Sequence, residues 1–452
     1  VGEWLEHRAA AEDEIVAYHF EQACSLAAEL GHRGDREREL AGRAVAHFRL
    51  GADAALARGN PAAATALLER AVALVGSDDV ARAALLPALG ASFYQAGRMT
   101  DAARILDEAI AHASTPQIRA RAEVEREFVR LETDARGAAE HAVRTAETAL
   151  EVLEREDDLH GQARAWSLRA QTAWMIGRVG RADEAWRAAA DCARRAHAER
   201  ERFEALGWRA TAAVLGPMPV DEAIRHCEDF RAIVAGSPVA VVWMINPLAP
   251  LHAMKGEFEL AAQFAQEANE TLQGLGSLGA SVSHHEAHAR LIAGQYALAE
   301  VPLRAGIEKL GAMSDVGLMA TTTAMLAQAV YAQGRVDEAA QLCRATAAAA
   351  AEEDIVTQVI WRSVQAKVHA RLGEHATAER LARQAVGLVE PTDLLSHRAD
   401  AMLDLAEVLH ACSLGAEAEE AVHTGLSLYE QKGNVVGATR ARLLLSDQPE
   451  VD

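Results

Sequence analysis

The chain has 452 residues, 101 of them Ala, with 41 Arg against 4 Lys, 20 aromatics and a formal net charge of −21. Ala, Leu, Arg and Glu favour helix, so the composition points to an all-α chain and excludes a sheet-rich sandwich or barrel. Half the residues are hydrophobic, which excludes disorder, and the acidic balance excludes non-specific nucleic-acid binding.

Residues 1–40 read as a helical lead-in. The chain starts on Val inside a helical pattern, so an upstream domain is expected. From 41 to 446 one phrase recurs: an apolar helix, a Gly turn, then an Ala-containing helix. "FYQAGRMTDAARILDEAIAH" and "VYAQGRVDEAAQLCRATAA" are examples. The turn glycines are Gly59, Gly97, Gly137, Gly177, Gly216, Gly256, Gly294, Gly334, Gly373 and Gly415, spaced 38 to 42 residues apart. Such a period marks a helical solenoid. Five residues after the Gly, Ala recurs at Ala64, Ala102, Ala142, Ala182, Ala261, Ala299, Ala339 and Ala378. Seven residues further on the side chain is small again, as at Ala71, Ala109, Ala149, Ala189 and Ala385. Seven residues before the Gly it is small too, as at Ala52, Gly90, Ala170, Ala287 and Ala327. Seven residues is about two helical turns, so these slots share a face and let helices approach closely. The prediction is a right-handed superhelical solenoid of about ten helix–turn–helix repeats, the first helix of each pair lining the concave face. Residues 447–452 form a tail.

Along the array, Trp166, Trp174, Trp208, Trp243 and Trp361 fall on first helices, Trp186 on a second helix and Trp4 in the lead-in. Aromatics dominate recognition hot spots, so Trp208, Trp243 and Trp361, with Arg209, Asn246 and Arg362 beside them, are candidate groove residues. The uncharged run 232–254 has membrane-spanning length, but Gly236, Pro238, Pro247 and Pro250 make it a buried, kinked helix pair. Gly274, Gly276 and Gly279 match a dinucleotide fingerprint. A helix precedes them where the motif needs a strand, so they read as an inter-repeat loop. His284 and His288 stand at i, i+4 without a visible third ligand, so they join the groove candidates and no metal site is assigned.

The phosphate-loop and nucleophile-elbow strings are absent, and no constellation supports catalysis or a cofactor. Cys24, Cys192, Cys227, Cys343 and Cys412 are isolated and odd in number, which fits reduced thiols in the cytoplasm.

The turn Gly and the two small residues of the second helix resemble the tetratricopeptide consensus, lengthened from its standard 34 residues. "EWLEHRAAAEDEIVAYHFEQACSLAAELG" resembles the segment that leaves the ATPase core in large bacterial signal-transduction ATPases, and "ARGNPAAATALLERAVALV" and "LYEQKGNVVGATRARLLL" resemble the helical arrays of actinobacterial cyclase-like proteins. Actinobacterial adenylate/guanylate cyclase-like proteins and LuxR-type or maltose-activator-type regulators have this layout. The resemblance implies a non-catalytic sensor or protein-interaction module with an upstream ATPase or cyclase domain. A protein partner or small-molecule effector would sit in the concave groove, with a homo-oligomer also open. Membrane and direct nucleic-acid contact are not expected. The alternatives are the C-terminal part of a class III cyclase-like ATPase and the regulatory region of a LuxR-type activator.

Overall fold

The computed structural model describes residues 2–6, 12–31, 34–76, 79–133, 138–272, 276–313 and 315–446. They form helices without a strand among the described residues. After α1 (Gly2–Glu6) and α2 (Asp13–Glu29) the helices alternate as first and second members of hairpins. The first half holds α3 (Asp35–Ala57) and α4 (Pro61–Val75), α5 (Asp79–Gln95) and α6 (Met99–Ala111), α7 (Pro116–Thr133) and α8 (Ala138–Arg155), then α9 (Leu159–Met175) and α10 (Val179–Arg195). In the middle α11 (Glu199–Leu215) pairs with α12 (Val220–Ile233). A broken first helix, α13 (Pro238–Ile245) and α14 (Leu248–Lys255), pairs with α15 (Phe258–Leu272). The second half holds α16 (Gly276–Ile292) and α17 (Tyr296–Met313), α18 (Val316–Ala332) and α19 (Val336–Ala349), α20 (Ile355–Arg371) and α21 (His375–Val389), and α22 (Leu395–Ala411) and α23 (Gly415–Lys432), and ends on α24 (Val435–Ser446). The tail and Gly137 lie outside the described residues.

Local chemistry explains the boundaries. Asn60, Asp158, Asp315 and Asp354 cap α4, α9, α18 and α20 with side-chain oxygens that accept a backbone N–H three residues on. Of the turn glycines, Gly59, Gly97, Gly177, Gly256, Gly294, Gly334 and Gly373 adopt positive φ, the conformation that ends a helix with least strain. Two copies differ. Gly216 is extended because Pro217 and Pro219 follow it, and in the last full hairpin Ser413 takes the left-handed position while Gly415 opens α23. The uncharged run breaks at Asn246–Pro247 into α13 and α14. No described helix is long and apolar enough to cross a membrane.

The small slots are buried throughout: Ala64, Ala102, Ala182, Ala299, Ala339 and Ala378 are wholly inaccessible, as are Ala71, Ala109, Ala170, Ala287 and Ala327. The tightest case is Gly90, where a Cβ would stand 2.4 Å from Cγ of buried Leu106. Gly90→Ala is therefore expected to destabilise the array by about 1–3 kcal/mol, an overpacking cost readable by urea denaturation.

The first helices lie inside. Successive ones touch (α5 with α7, α7 with α9, α18 with α20, α20 with α22), and so do first helices four to five repeats apart: α3 with α11, α7 with α18, α11 with α22 and α14 with α24. The superhelix thus seats one turn against the next. Two side chains fasten the turns. Asp393, just before α22, accepts the backbone N–H of Val179 and of Gly180 at 2.8 Å each, capping α10 from 213 and 214 residues away. Lys432, at the end of α23, donates to the carbonyls of Ala213, Gly216 and Met218 at 2.8, 2.8 and 2.6 Å. These are carbonyls at and just beyond the end of α11, the negative pole of that helix. Lys432 is fully buried, and burial pulls its pKa down to about 7.

Candidate ligand-binding face

Every described candidate residue sits on a first helix or at its end, but the structure distributes them over three places. The first is aromatic. Trp208 on α11 stacks on Trp186 at 5.3 Å between ring centroids, and Trp174 meets each edge-on at 5.8 Å. This trio belongs to one apolar cluster with Val359 of α20, Leu394 just before α22 and Ala401 on α22, so it joins the two turns of the superhelix. Arg209 is paired with Asp183 at 2.8 Å and lies 5.0 Å over the Phe230 ring. Trp243 on α13 packs over Gly207, where a Cβ would meet Trp243 Cβ at 3.0 Å, and Asn246 is buried at the α13–α14 break.

The second place is a histidine patch on α16 and α22. His284 Nε2 lies 2.6 Å from Thr322 Oγ1, and the His288 ring faces His397 at 6.4 Å across the interior. Burial pushes His284 down to about 4. Burial first, then His397, His285 and His284, push His288 down to about 3. Both imidazoles are neutral at pH 7. Among the described residues no group of three His, Cys, Asp or Glu converges to hold a metal ion. Gly274 lies outside the described residues, while Gly276 opens α16 and Gly279 sits in its first turn, after helix α15.

A His whose folded pKa is depressed stays neutral in the fold while the unfolded chain takes up a proton below about 6.5, so stability falls as pH drops from 6.5 toward 3. His288→Leu is expected to retain about 1–2 kcal/mol more of its neutral-pH stability than the wild type at pH 5, measured by urea midpoints at pH 7.5 and 5.

The third place is on α20. Trp361 Nε1 donates to Gln358 Oε1 at 3.0 Å. The Arg362 guanidinium lies 4.3 Å over the Trp361 ring and donates to the Gln358 carbonyl at 3.0 Å and to its side-chain oxygen.

Between these places the interior is polar, which the spacing of residues along the chain does not reveal. Arg164 on α9 holds Glu125 of α7 in a two-point bridge at 2.7 and 2.9 Å, both side chains buried, with Glu204 of α11 at 3.5 Å. Burial opposes ionisation of Glu201, but Arg200 and His160 outweigh it and hold its carboxyl well below the usual range. Further on, Lys367 of α20 pairs with Asp404 of α22 at 2.6 Å, and Tyr331 donates to Glu407 at 2.8 Å. Where α7 meets α18, burial and the adjoining Asp315 push the Glu132 carboxyl well above the usual range. The only sequence signal for these pairs is a charge near the same depth of first helices one repeat apart, such as Glu125 and Arg164, 39 residues apart.

No family model matches the sequence, and no curated protein matches it. Solved structures do. The chain is similar to a Rap protein complexed with competence and sporulation factor, at 12% identity and a TM-score of 0.54 over 78% of this chain and 98% of that one. It is also similar to the human IFIT1 dimer with m7Gppp-AAAA, at 15% identity and a TM-score of 0.45. The APC/C hetero-tetramer Cut9–Hcn1 aligns at 13% identity and a TM-score of 0.31, each of these two over 89% of this chain and 90% of the other. At such identities the first likeness speaks to architecture alone, and with the alternating helices and buried small slots it places the chain among the tetratricopeptide-like helical-repeat solenoids.

Proposed function

We propose that this array is a non-catalytic interaction module whose ligand, a protein segment or a small effector, is held on the interior face of the first helices. The observation that carries the reading is where the chemistry lies. The bridge of Arg164 with Glu125, the pair of Lys367 with Asp404, the histidine patch and the Trp361–Arg362 stack are all on first helices. Uniform solenoid packing needs only the small residues and aliphatics; desolvated charge costs stability unless it is paired and gives specificity in return. The Rap protein, a solenoid of this kind, is held in complex with competence and sporulation factor, and a receptor role for the present array fits that precedent. The setting implied by the sequence resemblance belongs to the same proposal: a cytoplasmic bacterial signalling protein, with residues 41–446 as the sensor array beside an ATPase or cyclase module. A ligand would then act by favouring one spacing of the superhelical turns over another.

A displayed peptide library selected against the whole chain tests this. Selected peptides are expected to protect amides of α11, α16 and α20 from hydrogen exchange. Protection confined to second helices would overturn the reading.

A further inference from the structure

We propose that Gln358, Trp361 and Arg362 form a carboxylate-binding subsite within the interior face. The proposal rests on the reading of that face as a binding surface and assigns the chemistry of one part of its ligand.

The observation is a charge without a counterion. This chain carries a net charge of −21 and has carboxylates to spare. Other arginines withdrawn from solvent use them: Arg164 pairs with Glu125, Arg200 with Glu201, Arg209 with Asp183 and Arg290 with Glu286. Arg362 is half-buried, and no carboxylate among the described residues lies within ion-pair distance of it. Its burial lowers its pKa, opposed only by the attraction of Glu352. An isolated, partly desolvated guanidinium is a cost to folding unless something else meets it.

The guanidinium is nevertheless held in place. Nη1 donates to the backbone and side-chain oxygens of Gln358. Gln358 is itself fixed, since its amide donates to the Ala351 carbonyl at 2.6 Å. The Trp361 ring lies under the guanidinium and shares the same Gln358 oxygen through Nε1. One edge of the fork is therefore occupied, and the other, Nε with Nη2, has no hydrogen-bond partner among the described residues. Two parallel N–H groups on that edge match the two oxygens of a carboxylate. A single cation also balances one carboxylate charge, whereas a phosphate dianion calls for a second cation. The aromatic floor and fixed Gln358 reduce the entropy lost when the fork closes on its anion. The ligand class is a side-chain, C-terminal or small-molecule carboxylate.

Proton–nitrogen correlation spectra of the arginine Nε groups test this on the intact chain, with succinate as the probe and inorganic phosphate at equal ionic strength as the second arm. The Arg362 signal is assigned by its loss in Arg362→Gln. Arg169, exposed over the Trp166 ring at 5.0 Å, is the internal control for loose anion contact. Succinate is expected to shift the Arg362 Nε signal saturably, at least five-fold further than Arg169, with phosphate well below succinate. Equal shifts at Arg362 and Arg169, no shift, or a larger shift with phosphate would each overturn the carboxylate subsite. If the subsite fails while selected peptides still protect α11, α16 and α20, the interior-face reading stands without it. Loss of that protection with a saturable succinate shift retained would have the opposite meaning.

Discussion

Lys432→Met is expected to loosen the junction between the two superhelical turns and to destabilise the array by about 3 kcal/mol. Three carbonyls, those of Ala213, Gly216 and Met218, lose their donor together. A buried polar group left without a partner costs about 1–3 kcal/mol, and the sum is offset in part because methionine removes the cost of burying an ammonium group. The side chains are similar in length, so the loss is not one of packing volume. Hydrogen exchange should speed up at the end of α11, at the start of α12 and around α24, while α3 to α6 keep their wild-type rates. Asp393→Ala removes the cap on α10, worth about 1–2 kcal/mol, and acts on the same junction. The double variant should therefore cost less than the two single effects combined, because once the turns part the second contact has little left to lose. Simple additivity, or unchanged exchange at α11, would mean that the contacts do not hold the turns together.

Trp186→Ala is expected to be more damaging, about 3–5 kcal/mol, the range for removing a buried large aromatic. Trp186 is 1% exposed, and its neighbours Trp174 and Trp208 lose stacked and edge-on partners at once. The cluster also includes Val359 and Leu394, so the cavity opens at the inter-turn contact and cannot be closed by a shift of one hairpin. Thermal unfolding should show a lowered first transition. Trp361→Phe, by contrast, removes one hydrogen bond and little volume from a half-buried position and should cost about 1 kcal/mol. A Trp186→Ala variant as stable as the wild type would show that the trio faces solvent as a groove rather than forming a joint between turns.

The repeat was legible in the sequence because it is local. Gly at the turn and small residues five and twelve positions later are demands of one hairpin, and each hairpin states them again. The placement of tryptophans on first helices was legible for the same reason. Their surroundings were not. Trp208 stands beside Trp186 and Val359 only because the superhelix returns after about five repeats, and that pitch comes from small increments at each interface. Asp393 and Lys432 carry no local signature. One stands in a loop and the other on the last turn of a second helix, each meeting backbone groups more than 200 residues away. A hint existed in Lys432 itself, one of 4 lysines in a chain with 41 arginines. A compact ammonium with three donors suits a ring of helix-end carbonyls, whereas the planar guanidinium suits carboxylates. The candidate positions also separate by what meets them. Arg209 has a carboxylate in its own neighbourhood, His284 has a threonine, and Arg362 has no ion-pair partner among the described residues and is held by Gln358.

The array closes turn against turn, with residues 177–218 seated on residues 392–432. Spin labels at the exposed positions Arg178 and Glu390, in a background where half-exposed Cys412 is replaced by Ser and the buried cysteines stay unlabelled, measure this directly by pulsed dipolar spectroscopy. The closed array requires one short, narrow distance distribution, because the Asp393 backbone N–H donates to the Gly177 carbonyl at 3.2 Å. The distribution should broaden and lengthen when Lys432→Met and Asp393→Ala are combined. A broad, long distribution in the otherwise wild-type chain would contradict the closed superhelix.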